Sequence, residues 1–110
     1  MDAIFEAIPG VRSIAEREKA DTSWFGAPYV CETPELKTKL VAHLESNRVQ
    51  TRNYFAGNLL MQPAYKQFGN WKYFPEASQV LSKVFFVGVS PTISKEMLDY
   101  VGTVVKRFSL

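Results

Sequence analysis

Near the middle of the chain, Thr51-Arg52-Asn53-Tyr54-Phe55-Ala56-Gly57-Asn58-Leu59-Leu60-Met61-Gln62-Pro63 gathers polar and aromatic side chains where a plain core segment would show clean apolar periodicity. Arg52, Asn53, Asn58 and Gln62 can donate or accept hydrogen bonds, and Tyr54 and Phe55 place flat apolar surface beside them. Gly57-Asn58 tolerates positive φ, so the backbone can reverse there and approach a ligand closely. This is the make-up of a recognition surface for a small molecule. It is also that of an ordinary bend in which Asn58 and Gln62 satisfy backbone groups, and spacing alone does not choose between the two.

No arrangement for running a reaction accompanies it. His43 is the only histidine, and its helix sets it opposite the apolar stripe, so it reads as a surface residue rather than a general base. Cys31, beside Tyr29 and Val30, reads as a buried small hydrophobe rather than a reactive thiol. Glu32, Glu35 and Glu45 surround the same helix without converging, so a metal site is not expected. No glycine pattern that cradles phosphate is present. The residues therefore predict binding, with no catalytic, cofactor-binding or metal-binding side chain of the chain's own.

The elements that must carry the central stretch are legible on either side of it. Ser23-Trp24-Phe25-Gly26-Ala27-Pro28-Tyr29-Val30-Cys31 reads as a strand whose Pro28 belongs at an edge or bulge. A helix then opens at Thr33-Pro34, with Leu36, Leu40, Val41 and Leu44 on one face and Lys37, Lys39, His43 and Glu45 turned outward. Residues 49–55 resume as a strand, and residues 61–65 allow a helical turn. Past an aromatic loop, Pro75-Glu76 starts a short helix with Ala77, Val80 and Leu81. Val84-Phe85-Phe86-Val87-Gly88-Val89 is an almost unbroken apolar run that suits a central strand covered on both faces. A last helix opens at Ser94 and carries Met97, Leu98, Val101, Val104, Val105 and Phe108 at helical spacing. At the other end, residues 1–8 fit a brief helical turn stopped by Pro9-Gly10. Residues 11–21 are too weakly periodic to separate helix, exposed strand and solvated connector, and connector is the simplest reading. The order predicts an α+β two-layer sandwich, a short and mostly antiparallel sheet packed on two longer helices. Residues 1–22 are expected to form an N-terminal connector and residues 23–110 the domain.

The totals agree with one small domain. A chain of 110 residues, 46% apolar and 22% charged, matches ordinary soluble proteins, and folding at this size buries roughly two thirds of the unfolded surface. A net charge of +2 falls well short of a phosphate-binding surface, which argues against a nucleic-acid partner. The longest apolar run is too short to span a bilayer, so no membrane partner is expected. One cysteine and no basic, apolar leader point to a reducing cytoplasm.

Thr51-Arg52, Phe55-Ala56-Gly57-Asn58-Leu59 and Gln62-Pro63 together resemble the C-terminal domain of the DegT/DnrJ/StrS family, pyridoxal-phosphate enzymes of fold type I that modify nucleotide-linked sugars. The likeness is greatest to the CDP-4-keto-6-deoxyglucose 3-dehydratase branch, also called RfbH, of lipopolysaccharide biosynthesis. That branch has strands similar to Ser23-Trp24-Phe25-Gly26 and to Phe85-Phe86-Val87-Gly88-Val89-Ser90-Pro91, in the same order and at comparable spacing. The resemblance implies a domain that closes over a cofactor cleft, with Arg52, Phe55, Asn58 and Gln62 facing a sugar nucleotide. It also implies that pyridoxal phosphate, and the lysine or histidine beside it, belong to a large N-terminal domain not represented in this sequence. Ser90 and Thr92 replace a tyrosine and a glycine usual in the branch, and Asn53 and Tyr54 an apolar pair.

Two functions follow as expectations. One is a truncated or stand-alone C-terminal domain of such an aminotransferase or dehydratase, silent without a cofactor-domain chain. The other is a free-standing small-molecule binding or oligomerisation module that keeps only the fold. A homo-oligomer through Trp71, Tyr73 and Phe74 is expected alongside either.

Overall fold

The two most apolar strands lie side by side at the centre of the sheet. A computed structural model, which describes residues 1–109, has strands β1 (Val11–Ser13), β2 (Gly26–Cys31), β3 (Arg52–Asn53) and β4 (Val84–Gly88) in the order β1-β2-β4-β3, every pair antiparallel. Its helices are α1 (Asp2–Glu6), α2 (Pro34–Ser46), α3 (Pro75–Lys83) and α4 (Lys95–Lys106). This is the expected α+β layering, with α2 and α4 the two longer helices.

Local chemistry sets the helix ends. Thr33 Oγ1 accepts from the Leu36 backbone N–H at 3.1 Å and Pro34 occupies the first turn of α2; Ser94 Oγ does the same for Met97 in α4 at 3.2 Å. Leu36, Leu40 and Leu44 from α2, Val104 and Val105 from α4, and Tyr29, Cys31, Phe85 and Val87 from the sheet then close one core. Phe5, Ile8 and Val11 join it, so α1 and β1 are part of the packed unit; Val11–Ser13, the segment the sequence left undecided, pairs with Tyr29, Val30 and Cys31.

Pro28 was expected at an edge or bulge, yet β2 is interior. The strand tolerates it because β1 ends at Ser13, opposite Tyr29. Phe25 O accepts from Val89 N at 3.0 Å, and the alternation of ladder bonds turns the nitrogen of Pro28 away from β4, to the side β1 has vacated.

Between β3 and α3 the chain forms three 3₁₀ turns, Leu59–Met61, Pro63–Phe68 and Trp71–Tyr73, none of which buries a residue. No helix among the described residues is long and apolar enough to cross a membrane.

Candidate functional site

The outer face of the sheet, opposite the core, carries the candidate site. In β4, Phe85 and Val87 point into the core and Phe86 the other way, because side chains alternate along a strand. Arg52 in β3 is directly across from Phe86, and Pro28 in β2 flanks it on the other side. The Phe86 ring is 6.0 Å from those of Phe25 and Phe55 and 6.2 Å from that of Tyr54. Phe25 and Phe55 also meet at 6.0 Å, and both remain about two thirds exposed, at 65% and 64%. Gly26 makes room for this cluster: a Cβ there would stand 2.5 Å from the Phe86 ring. Beside the rings a cavity of about 400 Å³ is lined by Phe25, Arg52, Phe86, Ser90 and Thr92, and reaches past the strand ends to the core-side residues Val49, Val87 and Val101. The Ser90 and Thr92 hydroxyls lie 2.6 Å apart on its wall.

Three contacts hold the strand and turn that present Arg52. Glu45 on α2 accepts from the Thr51 N–H at 2.6 Å and from its hydroxyl at 2.8 Å, and these two bonds draw the Glu45 carboxyl below its ordinary pKa. The Asn53 side chain, one residue on from Arg52, accepts from Lys37 Nζ at 3.0 Å. Farther along, Phe55 and Gly57 both adopt positive φ, +48° and +61°, and a Cβ at Gly57 would come within 2.7 Å of the Leu81 side chain.

Of the four residues singled out from sequence, Arg52 and Phe55 are brought together around Phe86. Asn58 is 2% exposed and its amide is occupied inside the protein. Its Nδ2 lies 3.0 Å from Trp71 O and Ser78 Oγ and 3.3 Å from Phe74 O, while its Oδ1 accepts from Leu60 N at 3.2 Å. Gln62 is exposed at the start of the second 3₁₀ turn and does not line the cavity that holds Arg52.

Sequence reasoning passed over Phe25 and Phe86 as site residues; the period of two within β4 separates Phe86 from Phe85 and could have found it. Lys37 was expected to face outward but is only 8% exposed. It stands three residues before Leu40 and four before Val41, at the border of the apolar stripe. Its Nζ donates to Leu81 O at 2.6 Å as well as to Asn53, and burial lowers its pKa. His43 also turns inward, with Nε2 2.7 Å from Val104 O and its ring 5.5 Å from Phe108. Cys31 is fully buried, and burial pushes its thiol up to about 11.

Chemically, a guanidinium with five donors beside a wall of rings can hold and orient a planar or anionic ligand. Among the described residues Lys37 is the one buried lysine, and its ammonium is committed to Asn53 and Leu81. These residues alone do not fit pyridoxal phosphate, which needs an available lysine or its substitute in an enclosed pocket.

The layering defines a class, the small α+β domain of sugar-aminotransferase folds. Spr1654 of Streptococcus pneumoniae, a provisionally assigned sugar aminotransferase, superimposes in its PMP form with a TM-score of 0.79 over 96% of this chain and 27% of its own, at 19% identity. Its apo form gives 0.80. The chain belongs to the DegT/DnrJ/EryC1/StrS aminotransferase family, which is pyridoxal-phosphate-dependent and whose pattern matches residues 1–106. It is 36% identical over 98 residues to the lipopolysaccharide biosynthesis protein RfbH of Salmonella typhimurium, covering 83% of this chain and 22% of that protein. It is 31% identical over 105 residues to the dTDP-4-dehydro-2,6-dideoxy-D-glucose 3-dehydratase of Saccharopolyspora spinosa, covering 92% and 23%. The chain thus spans less than a quarter of the length of the curated relatives it matches.

Proposed function

We propose that these 110 residues are the substrate-facing C-terminal domain of a cytoplasmic pyridoxal-phosphate-dependent nucleotide-sugar aminotransferase or 3-dehydratase of lipopolysaccharide or deoxysugar biosynthesis, inactive without a cofactor-bearing chain. The supporting observation is that Phe25 and Phe55 gather on Phe86 beside Arg52, with Phe25, Phe86 and Arg52 lining one cavity, in a chain whose relatives are sugar-modifying enzymes. In this reading the rings take the flat faces of the nucleotide sugar and Arg52 its negative charge. Gln62, outside this cavity, is a substrate contact carried over from the family likeness alone, and Asn58 contributes by shaping the turn. The domain binds and orients; moving a proton or an amino group requires the cofactor and a base from outside this chain.

Calorimetric titration with CDP-glucose and dTDP-glucose tests the reading. Saturable binding that Arg52→Ala weakens about tenfold or more, the scale of one lost charge-assisted hydrogen bond, is expected. Absence of binding, or binding indifferent to Arg52→Ala, overturns it. Covalent capture of pyridoxal phosphate with turnover by this chain alone would overturn the partner requirement.

A second reading, a free-standing binding or self-assembly module, is favoured by the exposure of Trp71, Tyr73 and Phe74. In that reading copies pair through these rings. Light scattering should then show dimers that grow with concentration, and a strict monomer at high concentration counts against it.

A further inference from the structure

We propose that Lys37 is a positioning residue whose ammonium pins the turn presenting Arg52 and Phe55 to the helices beneath it. The proposal rests on the reading above only in naming what that turn presents.

Lys37 joins three elements at one atom. From α2, its Nζ reaches the Asn53 side chain in β3 and the Leu81 carbonyl in the last turn of α3. That carbonyl is one of the four a helix leaves without an internal partner, and a cation is favoured at a helix C-terminus. Leu81 also supports the other end of the turn, since its side chain fills the space a Cβ on Gly57 would need. The turn is thus gripped at residue 53 by Lys37 and at residue 57 by Leu81, and Lys37 ties the two grips together.

The turn needs such support. β3 is two residues long and lies at the sheet edge, paired only to β4. Phe55 is held at φ +48°, a conformation that bulky side chains keep only when their surroundings enforce it. Phe55 itself is largely exposed, so its own packing does not supply that enforcement. An apolar residue at position 37 would fill the same space without either hydrogen bond, leaving the turn free to relax and Arg52 to leave its place opposite Phe86.

Amide hydrogen exchange on the full chain tests this without any ligand, using Lys37→Met, Asn53→Ala and the double variant. Each single change should raise exchange at residues 52–57 about tenfold, as for a local opening, while the amides of β2 and those of Phe85 and Val87 that face it stay unchanged. The double variant should be no faster than Lys37→Met, because Asn53→Ala removes only a link that Lys37→Met already lacks. Unchanged exchange at residues 52–57, an equal rise throughout the sheet, or additive effects would each overturn the proposal. Should Lys37→Met fail to fold, Asn53→Ala alone decides, since Asn53 is exposed. In the CDP-glucose titration, Lys37→Met should weaken binding without lowering the melting temperature of the core. If the unmodified chain does not bind, the proposed function fails while the exchange result still judges Lys37.

Discussion

The two halves of the molecule are built on different forces. Around β2 and β4, the rings of Phe5, Tyr29 and Phe85 meet at 4.3 to 6.0 Å, and Leu40, Leu44 and Val104 are sealed from solvent. Between β3 and α3, residues 54–74 bury only Asn58 and leave Phe68, Tyr73 and Phe74 facing water. The first half is held by apolar burial that it completes for itself. The second is held mainly by the Asn58 amide and by the fit of Gly57 on Leu81, and its exposed rings are suited to a covering surface. A domain built this way can be stable at its centre while its recognition region stays tuned to a partner or ligand.

Breaking the core should produce the largest effect. Leu40→Ala removes a fully buried side chain from the centre of α2 and should cost about 2–5 kcal/mol, read as a cooperative shift of the whole denaturant unfolding curve. A shift confined to one helix would contradict the single core. Asn58→Ala comes next. It strips partners from Leu60 N, Trp71 O and Phe74 O and should cost about 1–3 kcal/mol, felt as faster proteolysis within residues 58–74 while the core transition stays nearly in place. If it unfolds the core as Leu40→Ala does, the division into two halves is wrong.

The smallest expected effect is a pH dependence that sharpens the border between the halves. Glu45 has its folded pKa lowered by the two Thr51 bonds. Its contribution is therefore complete above the unfolded glutamate value of about 4.3 and is lost as pH falls through the lower folded value. The amide of Thr51 should lose protection in that acid window, and Glu45→Gln should flatten the response. An unchanged response in Glu45→Gln would assign it to another carboxylate.

Much of the scaffold could be read in advance, because its signals are short-range. Thr33-Pro34 and Ser94 cap their helices within three residues, and the apolar run 84–88 declares a buried strand by composition. Residues 61–65 were visible as a helical turn and the aromatic stretch after them as a loop, though not as the three 3₁₀ turns they form. The site was legible only as a region. Its central motif located Arg52 and Phe55, but nothing near Asn58 in sequence said that its amide would bond to Trp71 and Ser78, thirteen and twenty residues away. Lys37 was placed outward because charge in a helix ordinarily marks the wet face; its acceptors sit sixteen and forty-four residues on.

By itself the amino-acid order determined the helix starts, the covered strand, the α+β layering and, through three ordered motifs, the family. These depend on side chains a few positions apart, whose relations survive in any context. The tertiary structure alone decided that β1 joins the sheet, that Phe25, Phe55 and Phe86 converge beside Arg52, and that Asn58 and Lys37 turn inward. Each of those depends on strand order and register. Both are set by how distant apolar faces meet, so no local window of the chain contains them.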